Sequence, residues 1–223
     1  MKNIKRLFKI ISVGFVALSA FGPLQAGDAI TELQKAGEGR CSSELLQSYE
    51  KALAPMLSSL PDDENLLGAI SSVIPVACDV NLPDWRLQMS FSLGHYALVQ
   101  GLSAASVSEL TRLTSSAPVG KEFYVAAGRV YEKTISAKVS NAEAGDVLQG
   151  IIAARLKSAQ MEAYALIYLR ERNDGKDHAQ ALASANEALP RLRRNTNLER
   201  LKDEFSLPGD AWEEFQLSAA RKA

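Results

Sequence analysis

The sequence predicts an all-α protein, a single-domain multi-helix bundle of about nine helices, and three observations predict it. Apolar residues recur every three or four positions through most of the chain. No stretch alternates apolar and polar residues with the β-branched and aromatic enrichment of a strand. Prolines, glycines and Ser/Thr-x-x-Glu spacings interrupt the periodicity at intervals suited to helix ends. The most β-leaning stretch, Ser71 to Val80, carries Pro75 and follows a helical pattern, so it reads as a helix end and loop.

The first element is an export signal. Lys2, Lys5, Arg6 and Lys9 form a positive head, residues 10–21 are nearly all apolar, Gly22-Pro23 breaks a helix, and Leu24-Gln25-Ala26 ends in a small residue. This layout predicts a signal peptide over residues 1–26 and a mature domain over 27–223. About 12 to 15 apolar residues fall short of the ~20 that cross a bilayer as a helix. A periplasmic or secreted protein is therefore expected. In an oxidising compartment the two cysteines, Cys41 and Cys78, pair with each other. Neither has the His or Cys neighbour that a metal site would need.

The mature elements follow in order. A short helix opens at Asp28. After Ser42, the positions Leu45, Leu46, Tyr49, Leu53, Met56, Leu57 and Leu60 make one apolar stripe, ended by Pro61. Asp62-Asp63-Glu64 starts a second helix with acidic groups at the positive end of its dipole. Pro83-Asp84 starts a third, with Trp85, Met89, Leu93, Tyr96, Val99 and Leu102 as its expected core face. Ser106 with Glu109 marks a restart for Val107, Leu110 and Leu113. Pro118-Val119-Gly120 separates this piece from a helix with Phe123, Tyr124, Ala127, Tyr131, Ile135 and Val139.

Ser140 with Glu143 opens the longest predicted helix, from about Asn141 to Arg172. Its apolar arc widens at Tyr164, Ile167, Tyr168 and Leu169, which places neighbours on more than one side. Asn173-Asp174-Gly175 is a turn, and a helix with Ala179, Leu182, Ala185 and Leu189 precedes Pro190. Thr196 with Glu199 opens a helix with Leu198, Leu201 and Phe205, and Pro208-Gly209-Asp210 opens the last, with Trp212, Phe215 and Ala219.

The run Asp177-His178-Ala179-Gln180-Ala181-Leu182, followed by Asn186-Glu187-Ala188-Leu189-Pro190, is similar to the second helix of a tetratricopeptide repeat, with Ala163 to Gly175 standing in for the first. The likeness covers roughly 30 residues, and no second copy follows at the ~34-residue offset of such arrays. The likeness implies a TPR-like helical hairpin; because a lone repeat cannot bury its own faces, an ordinary helical hairpin is the favoured alternative.

Composition excludes several classes of function. The chain has 25 Lys plus Arg against 26 Asp plus Glu, and signal removal takes four basic groups and no acidic ones, which leaves a mature net charge of −5. That balance argues against general nucleic-acid binding. Two histidines leave little imidazole chemistry, and no phosphate-cradling glycine loop, calcium loop or His-rich metal spacing occurs. No cofactor and no metal ion is expected.

Ser48-x-x-Lys51, with Lys133-Thr134-Ile135 and Ser184-Ala185-Asn186, bears a faint likeness to the serine–lysine motifs of penicillin-binding proteins. The order is wrong and Ile135 stands in place of the glycine. Glu132, Glu143 and Glu162 are the acids a cell-wall glycan hydrolase would use. Tyr96, Tyr124, Tyr131, Tyr164 and Tyr168 read first as core residues whose hydroxyls reach the surface, with the lining of a small-ligand cavity as the alternative. His95 reads as a partly buried structural group and His178 as part of a helix cap.

One charged feature stands out on this acidic chain. Arg191, Arg193, Arg194, Arg200 and Lys202, backed by Arg170 and Arg172, form a candidate basic face. The leading expectation is an exported helical protein without catalytic activity that binds a partner protein, as an adaptor, chaperone or inhibitor. The partner would be another exported or envelope protein, with peripheral contact to membrane or cell wall as a further role. A glutamate-based cell-wall hydrolase is the alternative, and a small-ligand carrier a third.

Overall fold

The computed structural model describes residues 27–215 apart from 62, 118 and 214, so the expected signal peptide lies outside the described residues. Among the described residues there are eleven α-helices and no strand. The expected domain is built as two compact units, residues up to Ser115 and residues from Ser116 onward.

The first unit holds α1 (Gly27–Gly37), α2 (Ser43–Leu57), α3 (Glu64–Asp79), α4 (Asp84–Val99) and α5 (Ala104–Ser115). Its centre is α3, which packs against α1, α4 and α5 and buries Leu66, Ile70, Val73, Ile74 and Ala77. Asp63 starts this helix by accepting from the amides of Asn65 and Leu66. The helix ends within Ser71 to Val80 as expected, but no loop is formed there, because α3 runs on to Asp79 with Pro75 inside it. Pro75 lacks one backbone donor. Burial of Val73, Ile74, Ala77 and Cys78 around it outweighs that loss.

The disulfide Cys41–Cys78 fastens the α1–α2 turn to the end of α3, as the cysteine count predicts. The Tyr49 hydroxyl of α2 lies 3.0 Å from the Ala77 carbonyl and 2.9 Å from that of Leu82, so it meets the backbone where α3 ends.

Helix α4 departs from the expected face. Leu87, Phe91, Gly94 and Ala97 are buried along with Met89 and Leu93, whereas Val99 is half exposed and Trp85 and Tyr96 are partly exposed. A helix buried on most sides carries no single stripe to read. At Gly94 the absence of a side chain lets α4 approach its neighbours: a Cβ there would stand 2.8 Å from Val107 Cγ1 and 3.3 Å from Val73 Cγ2. The cap of α5 is Ser103 rather than Ser106, for the Ser103 Oγ accepts from the Ser106 amide and Glu109 pairs with Arg112.

The second unit holds α6 (Lys121–Ser136), α7 (Asn141–Ala153), α8 (Ser158–Asn173), α9 (His178–Glu187), α10 (Leu189–Leu192) and α11 (Leu198–Glu204), then a helical turn over 211–213. Helix α8 is its hub, in contact with α6, α7, α9, α10 and α11, and every residue from Ala163 to Leu169 is buried. The predicted widening of its apolar arc has that cause. Helices α8 and α9 form the expected hairpin around Gly175, whose φ is +93°. The reciprocal cap of α7 by Ser140 and Glu143 is also present. The α11 cap is Asn197, which accepts from the Arg200 amide, and not Thr196.

The predicted long helix from Asn141 to Arg172 is two helices. It breaks at Arg155, whose φ is +54°, and five helices end in the same way. In each, a residue in the left-handed region is followed by one whose amide reaches back six positions inclusive to a helix carbonyl, the Schellman arrangement. The bonds are Leu82 to Ala77 at 2.9 Å, Leu102 to Ala97 at 2.9 Å, Leu156 to Ile151 at 3.4 Å, Lys176 to Glu171 at 3.1 Å and Leu207 to Lys202 at 2.8 Å. In four of these the donor is a leucine, and Leu82, Leu102, Leu156 and Leu207 are all buried. The turn thus satisfies orphan carbonyls and, at the four leucine joints, adds about 2 kcal/mol of apolar burial.

Candidate functional site

The basic stretch does not form one open face. Arg191 donates through Nε to Glu204 Oε1 at 3.0 Å and through Nη2 to the Glu204 carbonyl at 3.0 Å, with its guanidinium 4.4 Å from the Phe205 ring centroid. Lys202 is largely covered and donates to Glu199 at 3.1 Å and to the Gly209 carbonyl at 2.7 Å. Arg193 is exposed, yet its Nη2 donates to the Ala154 carbonyl at 3.2 Å. Arg194 and Arg200 are exposed. The two flanking arginines are structural: Arg170 donates to Glu171 at 2.6 Å and to the Phe205 carbonyl at 2.5 Å, and Arg172 meets Glu143 at 3.1 Å.

A polar chain absent from the sequence reading lies across α7, α8 and α9. The Tyr168 hydroxyl is 2.9 Å from His178 Nδ1, and His178 Nε2 is 3.0 Å from Asp146 Oδ2. With a neutral imidazole carrying its proton on Nε2, the phenol donates to Nδ1 and Nε2–H donates to the carboxylate. Glu143 Oε1 stands 4.0 Å from the same Nδ1. Burial holds the Tyr168 phenol above its ordinary range, and the Glu143 and Asp146 carboxylates add to that effect. The cap of α9 is Asp177, which accepts from the Gln180 amide, so His178 is released for this chain. The only local signal was Glu143-x-x-Asp146, a spacing that puts two carboxylates on one helix face.

Two of the three nominated glutamates have structural partners. Glu162 Oε2 accepts from Lys133 Nζ and from Trp212 Nε1, both at 3.2 Å, and Lys133 lies 5.0 Å from the Trp212 ring centroid. Glu143 closes the α7 cap and pairs with Arg172. Glu132 is partly exposed on α6. Ser48 donates to the Asp84 carboxylate at 3.0 Å. The tyrosines are core: Tyr124, Tyr131, Tyr164 and Tyr168 are buried, and the Tyr164 hydroxyl donates to Asn186 Oδ1 at 2.8 Å.

His95 is buried too. It stacks on Phe91 with ring centroids 6.5 Å apart, and its Nε2 has no partner among the described residues. Among those residues no group of His, Cys, Asp and Glu is gathered to hold a metal ion, and no helix is long and apolar enough to cross a membrane. The sequence matches no protein-family profile, no curated protein and no solved structure.

Proposed function

We infer that the mature chain is an exported, periplasmic or secreted, helical protein that acts by binding another exported or envelope protein rather than by catalysis. One observation carries this reading. The most enzyme-like constellation, Asp146–His178–Tyr168, ends on a phenol that is wholly buried. A proton relay must reach a substrate atom within hydrogen-bond distance to act. Here the phenol end lies in the core, Asp146 and His178 keep partial access to solvent, and the three side chains tie α7, α8 and α9 together. Two of the three acids nominated for a glycan hydrolase are committed to structural partners, Glu162 to Lys133 and Trp212 and Glu143 to a cap and Arg172. The Cys41–Cys78 bridge supports an oxidising compartment.

The test has two arms. The tagged mature protein is crosslinked in its native host, and the co-purifying protein is expressed and titrated against it. Saturable binding with fixed stoichiometry is expected. In parallel, purified protein is incubated with peptidoglycan, alongside Glu132→Gln, Glu143→Gln and Glu162→Gln. Glycan cleavage abolished by one of these changes would replace the binding reading with the hydrolase one.

A further inference from the structure

The fold brings together two turns that are distant in sequence. Arg193 Nη2 donates to the carbonyl of Ala154 at 3.2 Å, and Gln160 Nε2 donates to the carbonyl of Asn195 at 2.9 Å. The α7–α8 turn and the α10–α11 turn therefore adjoin at one end of the second unit. The first contributes Arg155 and Lys157, the second Arg193 and Arg194, and all four residues are exposed. No Asp or Glu occurs in residues 147–161 or 188–198. Of the three acids on α11, Glu199 pairs with Lys202 and Glu204 with Arg191, while Asp203 is exposed.

One of these cations, Arg193, is held by its side chain, and another, Arg155, stands on an ordered backbone turn. Arg155 occupies the left-handed position of a Schellman turn, its amide bonded to the Ile152 carbonyl at 3.0 Å. Glycine fits that position at no steric cost, so a long cation is kept there against local preference. Arg193 is anchored through its own guanidinium. Charges presented on ordered turns lose little conformational freedom on binding.

We propose that this end of the second unit, Arg155, Lys157, Arg193 and Arg194, docks on an anionic phospholipid surface. The composition of the patch selects that partner. The exposed large apolar side chains among the described residues are Val80 and Val99, and both belong to the first unit. A protein interface needs an apolar centre with aromatic or aliphatic anchors, which these turns lack. A dense phosphate layer asks only for summed charge, and each Lys or Arg near it strengthens binding about fivefold. The mature chain is otherwise acidic, at −5 overall, so its remaining surface is repelled and the cationic end faces the lipid. With no apolar side chain to insert, attachment is peripheral and reversed by salt.

Sedimentation with vesicles tests this, using the mature chain with its disulfide intact. Vesicles of equal phosphatidylglycerol and phosphatidylcholine are compared with phosphatidylcholine alone, at low salt and at about 0.5 M salt. Binding is expected only to the anionic vesicles at low salt. The triple variant Arg155→Gln, Lys157→Gln, Arg194→Gln leaves the Arg193 bond in place and should bind about a hundredfold more weakly, by three fivefold steps. A control with the same charge change at exposed sites elsewhere, Lys35→Gln, Lys51→Gln and Lys121→Gln, should stay within a few-fold of the parent. Equal binding to both vesicle types, or a triple variant that binds like the control, overturns the proposal. So does loss of a purified protein partner by the triple variant while vesicles stay unbound, which would assign the patch to an acidic protein and leave the partner-binding reading standing.

Discussion

At His95 an imidazole sits in an apolar setting, on Phe91 and with an unpaired Nε2. Burial pulls its pKa below the ordinary 6.5, and the charge of Asp63 only partly opposes this. The sign follows from proton counting. Between the lowered folded value and 6.5 the unfolded chain binds a proton that the folded chain refuses. Stability therefore rises with pH in that window and is lost as pH falls below about 6.5. Denaturant melts of the parent and of His95→Leu at a series of pH values across this range check it. The parent should lose stability on acidification and the variant should lose less. Equal slopes for the two would assign the acid sensitivity to other groups.

At the scale of the helix, Gly94 is the contact on which α3, α4 and α5 close. Alanine there gains about 1 kcal/mol of helix propensity. Its Cβ would meet Val107 at 2.8 Å and Val73 at 3.3 Å, and both valines are fully buried. Valine is stiff at χ1 and cannot swing aside, so an overpacking cost of about 1–3 kcal/mol opposes the gain. Gly94→Ala should be destabilising by about 1 kcal/mol net. An equal or higher melting temperature would mean that the three helices can spread apart freely. The elements most legible in the sequence were those with a single wet face or a side-chain cap: Ser42 before α2, and Ser140 with Glu143 before α7. The break at Arg155 was hidden because Leu156 falls in phase with Leu148 and Ile152 while serving as a capping leucine, and no glycine or proline marks the spot. The buried face of α4 was misplaced because a helix covered on most sides leaves no contrast to read. Asp146, Tyr168 and His178 come from three helices and share no local spacing, so only tertiary packing brings them together. The basic stretch was visible as composition, but which arginines turn inward depended on Glu204 and the Ala154 carbonyl, far along the chain or across a turn.

On the whole-molecule scale the two units differ in how they are held. The first carries the Cys41–Cys78 bridge, and the second relies on α8 as a hub. The bridge closes about 38 residues and contributes roughly 4 kcal/mol by the chain-entropy estimate. Each unit also has one of the two tryptophans, Trp85 in the first and Trp212 in the second. With Trp212→Phe, the fluorescence transition of Trp85 should move to markedly lower denaturant on reduction of the bridge, and coincident oxidised and reduced curves would contradict the estimate. The Schellman joints bear on how the chain tolerates new sequence. At Leu82, Leu102, Leu156 and Leu207 the linker itself supplies a core side chain, so a peptide inserted beside any of them drags a buried leucine out of register. The α8–α9 joint has Lys176 at the equivalent place, and Asp174, Gly175, Lys176 and Asp177 are all exposed. That turn is the natural port for an epitope tag, a protease site or a fluorescent fusion, and a tag carried there would report on the protein in its own compartment without entering its core.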